Sequence, residues 1–392
     1  MVYKSVILRR GKEESLQRFH PWVFSGAIAR MDNIDEGDLV TVYSNDGKLI
    51  GNGHYQVGSI AVRMLCFDDS EINEDFFVER LTQAYAMRQT LNLMRPDNNS
   101  FRLVHGEGDF LPGLVVDVYG NTAVMQAHSP GMHFARNIIA QSLTRLPGAP
   151  IKNVYYKSET TLPFKAQLDP QNDYIIGSYD TDVAIENGLK FHVDWLKGQK
   201  TGFFVDQREN RSLLEHYAHG RKVLNMFCYT GGFSFYAMRG GAQLVHSVDS
   251  SAKAIKLTND NVELNFPGDN RHKAFAQDAF KYLDEMSTDY DLIILDPPAF
   301  AKHKSALKNA LIGYRKLNAK AFEKIKPGGI LFTFSCSQAV NKDQFRLAVF
   351  SAAAMSRRKV RILHQLTQPA DHPINIYHPE GEYLKGLVLY VE

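Results

Sequence analysis

The chain has 392 residues, 44% hydrophobic and 22% charged, with a formal net charge of +2 at pH 7. That length exceeds one comfortable core and predicts two or three domains of a soluble globular protein. No run reaches the roughly 18–20 apolar residues of a membrane span, and a charge this small is no argument for nucleic acid by itself. The first residues, MVYKSVILRRGKEE, lack the apolar core of a signal peptide. Cys66, Cys228 and Cys336 form neither a disulfide framework nor a metal-ligand spacing. A reducing, cytoplasmic setting without a metal or a membrane is therefore expected.

Residues 1–68 read as a small β domain. Short β-rich runs (KSVILR, DLVTVYS, KLIGNGHY, SIAVRMLCF) are separated by turn signals at Glu36-Gly37-Asp38 and Asn45-Asp46-Gly47. The Asp-Gly pair predicts a tight primed hairpin turn, which needs positive backbone dihedrals. Arg9, Arg10, Lys12 and Arg18 crowd the start and precede His20-Pro21-Trp22. Basic residues beside an aromatic suit an RNA backbone and a stacked base; they also read as a solvated face next to a core tryptophan.

Residues 69–182 read as a mixed α+β middle domain. Helical spacing over 74–94 is followed by strands at FRLVHGEG, LPGLVVDVYG and NTAVMQAHS, a helix near 133–146, and strand-like alternation in NVYYKSE. No catalytic constellation falls here, and no repeat stands out anywhere. The third domain, 183–392, is led by a loop holding Lys200, Thr201 and Gly202 and by a helix beginning near Asp206. That helix is placed either to pack over a cofactor or simply to open the domain.

From Lys222 to Ser337 apolar runs alternate with helices: KVLNMF, AQLVHSVD, KAFAQDA, YDLIILDPP and GGILFTFSCS. Continuous apolar strands of this kind predict an α/β fold, a parallel sheet covered on both faces. Ligands then sit beyond the carboxyl ends of the strands. Thr230-Gly231-Gly232 lets the backbone turn tightly against a ligand. Asp249, at the end of the next strand, is placed to accept both hydroxyls of a ribose. These features do not separate nicotinamide from other adenosine cofactors, but the loop lacks G-x-G-x-x-G, so NAD is demoted. Asp278 ends the third strand, where it could bond an adenine amine or cap the helix that follows. Asp296-Pro297-Pro298 forms a rigid, acceptor-lined edge suited to a planar base. Cys336 lies between two serines at a strand end. A thiolate adding to carbon 6 of a cytosine makes carbon 5 nucleophilic enough to take a methyl group. Cys228 is a rival by position, on the cofactor side; Cys66 reads as core.

With these residues laid out, the chain strongly resembles the S-adenosylmethionine-dependent ribosomal RNA methyltransferases with an N-terminal PUA domain, and most closely those making 5-methylcytosine in large-subunit (23S) RNA. The resemblance spans nearly the whole chain. It rests on HPWVFSGAI, GEGDFLPGLVVD, KTGFFVDQR, NMFCYTGGFS, DPPAF, GYRKLN, TFSCS and DHPINIYHPEGEYLKG, in order. It implies a class I, Rossmann-like seven-stranded sheet, completed by a strand near Leu387–Val391, behind a PUA-like domain that helps dock RNA. Phe227, Tyr229, Thr230 and Gly231 would line the methionine part of S-adenosylmethionine. Asp249 would hold its ribose, Asp278 and Ala279 would border its adenine, and Asp206, Gln207 and Arg208 would close the pocket. Asp296 would face the cofactor and the target base beside Pro297 and Pro298, and Cys336 would be the nucleophile. Arg9, Arg10, Lys12 and Arg18 would meet RNA phosphates.

One departure matters: better-known RNA cytosine methyltransferases carry a second cysteine where this chain has Pro297-Pro298, so a second thiol cannot release the product. The implied partner is ribosomal RNA or a large-subunit assembly intermediate, with a homodimer as a further expectation. The alternatives are a guanine N-methyltransferase using the Asp-Pro-Pro edge alone, an RNA-binding assembly factor with a vestigial site and, last, a nicotinamide oxidoreductase.

Overall fold

Residues 3–287, 289–301 and 303–392 are described in the computed structural model, and their contacts gather into two units. The first comprises Met1–Gly188, Val193–Val205 and Ala370–Gly381. It holds two sheets, one from the β-rich start and one from the middle section. The six-stranded sheet is built from Lys4–Leu8, Trp22–Phe24, Ile28–Met31, Leu39–Tyr43, Leu49–Tyr55 and Ile60–Met64. Val6, Leu8, Val40, Val42, Val62 and Met64 form its core. The short strands Trp22–Phe24 and Ile28–Met31 escape the sequence reading, being too brief to show a period of two.

The hairpin at Asn45-Asp46-Gly47 is present but not as a primed turn. Only Gly47 has a positive φ (+81°), and Ser44 N–H donates to Lys48 O at 2.9 Å around a longer loop. A left-handed glycine after an ordinary turn achieves the same reversal with one unusual dihedral pair instead of two.

The second sheet of this unit contains Ser100–His105, Leu114–Tyr119, Thr122–Ala127, Asn153–Tyr156 and Asp173–Ile176, with the helix Glu74–Thr90 in the same core. The helix expected over 133–146 is two helices, Pro130–Phe134 and Arg136–Thr144. Residues 370–381 belong to this unit for a polar reason. Fully buried Arg88 pairs with Asp109 and donates to Asp371 O at 2.7 Å, while Asp371 Oδ2 accepts Arg102 N–H at 3.0 Å. A guanidinium with no water must find such acceptors.

The second unit comprises Leu189–His192, Asp206–Pro369 and Glu382–Glu392. Besides the short strand Leu189–His192, its strands are β1 (Lys222–Met226), β2 (Leu244–Asp249), β3 (His272–Ala276), β4 (Leu292–Leu295), β5 (Gly329–Ser335), β6 (Val360–Leu366) and β7 (Lys385–Val391). β1 to β7 form one sheet in the order β3-β2-β1-β4-β5-β7-β6. β1 to β5 run parallel, and β7 is antiparallel to both β5 and β6. The helices are α1 (Arg208–Tyr217), α2 (Gly232–Arg239), α3 (Ala252–Asn265), α4 (Ala279–Glu285), α5 (Leu307–Lys324) and α6 (Lys342–Met355).

Burial explains the strand sequences. All seven residues of β5 are buried, so both of its faces are apolar but for Thr333 and Ser335, with Ile330, Leu331, Phe332 and Phe334 each worth about 1.5–3 kcal/mol of transfer free energy. Helix starts are set by local polar chemistry. Ser251 accepts Ala254 N–H at the start of α3, and Asn341 with Gln344 forms a reciprocal capping box on α6. Among the described residues no helix is long and apolar enough to cross a membrane.

Candidate active site

The strand order reverses between β1 and β4, and the functional side chains gather beyond the carboxyl ends of these strands and their neighbours. After β1 the chain makes a tight turn with Phe227, Tyr229 and Gly231 all at positive φ (59°, 48° and 86°). A Cβ on Gly231 would lie 2.4 Å from Phe235 Cζ and 2.8 Å from Thr258 Cγ2, so glycine is required on two counts. Polar side chains hold the turn: Thr258 Oγ1 donates to Tyr229 O at 2.9 Å, and Asn261 Nδ2 to Thr230 O at 3.2 Å.

Asp249, half-buried at the end of β2, accepts Tyr229 N–H through Oδ2 (3.0 Å) and Ser251 N–H through Oδ1 (2.9 Å). The carboxylate is thereby locked in orientation with lone pairs left over, as a bidentate diol acceptor must be. Asp278 takes the second of its two expected places, the cap of the helix that follows. β3 stops at Ala276, and exposed Asp278 caps α4, its Oδ1 accepting Lys281 N–H at 3.0 Å. Ala279, the first residue of α4, is buried.

Asp206 and Gln207 lie in a 3₁₀ turn that runs into α1, and Arg208 opens that helix, almost fully buried. Gln207 Nε2 donates to Asp296 Oδ2 at 3.1 Å while its Oε1 accepts Asn210 Nδ2 at 2.6 Å. Asp206 Oδ2 accepts the Tyr383 hydroxyl at 2.7 Å. Burial, and then the neighbouring Asp206 carboxylate, push Asp296 up to about 7. Asp206 Oδ1 and Asn225 Oδ1 are buried with no hydrogen-bond partner. Buried Arg211 acts on Asp296 from α1, so the site holds charges of both signs. S-adenosylmethionine, which carries an ammonium, a sulfonium and a carboxylate, fits that mixed donor set. Pro297 is buried and Pro298 exposed.

Cys336 follows the last residue of β5 and is partly exposed, whereas Cys66 and Cys228 are buried. The residues on either side of it are pinned by Tyr314 of α5. Ser335 Oγ donates to the Tyr314 hydroxyl at 2.9 Å, and Ser337 Oγ shares a bond with the same hydroxyl at 2.9 Å. Fully buried Tyr314 is pushed above its ordinary pKa, so it stays a neutral hydroxyl. Lys385, at the start of β7, pairs in register with Ser335, and its buried Nζ donates to Ser337 O and Tyr383 O, each at 2.7 Å.

Tyr314, Tyr383 and Lys385 were given no role by the sequence reading, whereas Asn225 opens the Asn225–Gly232 stretch that it takes as a candidate site. GYRKLN and EYLKG were noted as motifs, but only long-range pairing brings those residues to the site.

In the first unit, Arg9, Arg10, Lys12 and Arg18 are exposed. A cavity of about 320 Å³ is lined by Lys12, half-buried Trp22 and Phe24, among others. Trp22 is held by a 2.8 Å bond from Nε1 to Glu107 and by edge contact with the His378 ring. His20, His378 and Glu380 come together nearby. His20 Nδ1 accepts Trp22 N–H at 3.3 Å, and its Nε2 faces Glu380 at 3.6 Å.

A family model described as S-adenosylmethionine-dependent methyltransferase matches residues 102–378, and one described as PUA-like domain matches residues 6–67. The ribosomal RNA large subunit methyltransferase I of Aeromonas hydrophila is 41% identical over 98% of both chains; that of Aeromonas salmonicida is 40% identical with the same coverage. A methyltransferase structure complexed with SAH superposes with a TM-score of 0.85 at 23% identity, covering 100% of each chain.

Proposed function

Because the chain belongs to the S-adenosylmethionine-dependent methyltransferase family and carries a PUA-like domain, we propose that it methylates carbon 5 of a cytosine in large-subunit ribosomal RNA, with Cys336 as the nucleophile. The enzyme class and cofactor follow from family membership. The RNA substrate rests on the names of relatives about 40% identical over nearly the whole chain, and the cysteine chemistry on one observation. Of three cysteines, only Cys336 is partly exposed, and it stands at the carboxyl end of the strand beside the one carrying Asp296.

S-adenosylmethionine supplies an electrophilic methyl group. Asp249 would accept from its ribose, the turn at Phe227, Tyr229, Thr230 and Gly231 would border its methionine part, and Asp206 with Asp296 would offset its positive charge. Gln207 and Arg208 would hold that side of the pocket, and Ala279 would border the adenine. The thiolate of Cys336 adds to carbon 6 of the cytosine. A C–S bond forms, and the carbon 5–6 electron pair moves to carbon 5, which would take the methyl group as the methyl–sulfonium bond breaks with its pair staying on the donor sulfur. Loss of the carbon 5 proton returns an electron pair to the ring, and the C–S bond breaks with its pair going to sulfur. Pro297 and Pro298 leave no second thiol, so a group other than a cysteine takes the carbon 5 proton, and the sulfur that departs is that of Cys336.

Unstacking a base costs a few kcal/mol, least for an unpaired one, so a loop in free RNA or in a large-subunit assembly intermediate is the expected target. Arg9, Arg10, Lys12 and Arg18 contribute salt-dependent phosphate contacts, and the Trp22–Phe24 cavity offers a stacking surface. Methylation of ribosomal RNA by wild type and Cys336→Ala, with the product nucleoside identified by mass spectrometry, tests this reading. Loss of 5-methylcytidine in the variant is expected. A methylated guanine, or undiminished transfer by Cys336→Ala, overturns it.

A further inference from the structure

Lys385 is a buried lysine with no carboxylate among its hydrogen-bond partners. Its Nζ donates to two backbone carbonyls, Ser337 O and Tyr383 O, each at 2.7 Å. An ammonium has three protons to place, whereas a neutral amine has two protons and one lone pair. Two carbonyl acceptors match the amine: both N–H bonds are used, and the lone pair is left for a proton.

The lysine's position is fixed twice over. Its backbone is paired with Ser335 across β5 and β7, and its amine is tied to the carbonyl of Ser337. Cys336 is the residue between those two anchors, and its charge bears directly on Lys385. The other charged groups acting there are Glu382 and Lys342, themselves ion-paired, and they act in opposite directions. On the α5 side of Cys336 a further titratable group is the Tyr314 hydroxyl, held neutral by burial. Among these described groups Lys385 is the base for the thiol proton.

We propose that Lys385 is the base that activates Cys336: the S–H bond breaks, its electron pair stays on sulfur, and the proton moves to the Nζ lone pair. The product is a thiolate beside an ammonium that remains bonded to Ser337 O and Tyr383 O. When sulfur leaves the methylated base, the same proton can return, closing the cycle with nothing consumed. Burial supports the assignment, since it lowers Lys385 from the ordinary lysine value to about 8, where both protonation states are populated near neutral pH. The proposal rests on the reading of Cys336 as nucleophile.

The test is alkylation of the full-length protein by iodoacetamide between pH 6 and 10, with the Cys336 peptide followed by mass spectrometry. No cofactor or RNA is needed, and the buried Cys66 and Cys228 serve as unreactive controls. At pH 7.5 the Cys336 rate should fall about tenfold or more in Lys385→Met, with the midpoint of its pH profile moving up by about one unit, because only the thiolate reacts. The acid limb of the methyl-transfer profile should move the same way, which loss of a merely structural contact would not produce. An unchanged midpoint in folded Lys385→Met overturns the proposal. If that variant does not fold, wild type alone decides: a midpoint at or above that of glutathione overturns it, and one clearly below supports it. Cys336→Ala separates the two claims. If it is inactive while Lys385→Met leaves the thiol profile unchanged, only the role of Lys385 fails; if it is active, the nucleophile reading itself fails.

Discussion

Cys228 and Cys336 occupy nearly equivalent places, each just past the carboxyl end of a central parallel strand, yet their surroundings differ in kind. Cys228 sits inside the glycine turn after β1, buried, with Thr258 Oγ1 at 4.0 Å from its sulfur. Burial, and then the charge of Asp249, push its thiol well above the ordinary value. Cys336 follows β5, is partly open, and has a buried lysine where Cys228 has a carboxylate. Strand-end position alone does not make a nucleophile; solvent access and the sign of the nearest charge do.

The sharpest way to break that comparison is to remove each sulfur in turn. Cys336→Ala should lower methyl transfer by about 10⁶-fold, the scale seen when a covalent nucleophile is deleted. Cys228→Ala should stay within about fivefold of wild type, and both variants should bind S-adenosylmethionine in calorimetry. Comparable losses in the two variants would erase the distinction.

Next in size is Asp296→Asn, which should weaken S-adenosylmethionine binding by about 30-fold or more, since truncating one member of a buried charge interaction costs about 2–5 kcal/mol. Its pH signature has a definite sign. The folded pKa, about 7, lies above the unfolded value. The contribution of Asp296 to stability is thus fully present below about pH 4 and is lost as pH rises through 7. Ligand-free Asp296→Asn should therefore unfold at higher temperature than wild type at pH 8, with the difference vanishing near pH 4. Affinity of the wild type for the cationic cofactor should rise between pH 6 and 8.

On the Cys228 side, Gly231→Ala should destabilise the protein by about 1–3 kcal/mol in denaturant titrations, from left-handed strain and the clash with Phe235. The smallest effect belongs to the other unit. Lys12→Ala should reduce the salt slope of RNA binding by about 0.7, one phosphate contact on a single strand, and leave the chemistry of both cysteines untouched. A slope that does not change would place the RNA elsewhere.

Much of the catalytic unit was legible from periodicity. The five apolar runs became β1 to β5; β4 and β5 are buried on both faces and so almost wholly apolar, whereas β3 is an edge strand with no fully buried residue. Asp249 was legible too, since a carboxylate ending such a strand has few structural reasons to be there. Asp278 shows the limit: its identity was read correctly as polar and terminal, but a helix start two residues past a strand presents the same letters as a strand end. The Asn-Asp-Gly hairpin shows another, since one or two left-handed residues reverse the chain equally well.

The local order of strands and helices, the glycine turn, the fixed carboxylate and the presence of a cysteine beside two serines were determined by the sequence alone, because each is set by residues within one or two turns of chain. Three features were decided only in three dimensions: the lysine of β7 beside that cysteine, the tyrosine that pins both serines, and the return of residues 370–381 to the first unit. Each depends on pairing between segments far apart in the chain, where burial rather than local pattern chooses the partner. The chemistry of a thiol is set by those partners, so the sequence could name the sulfur but not the base beside it.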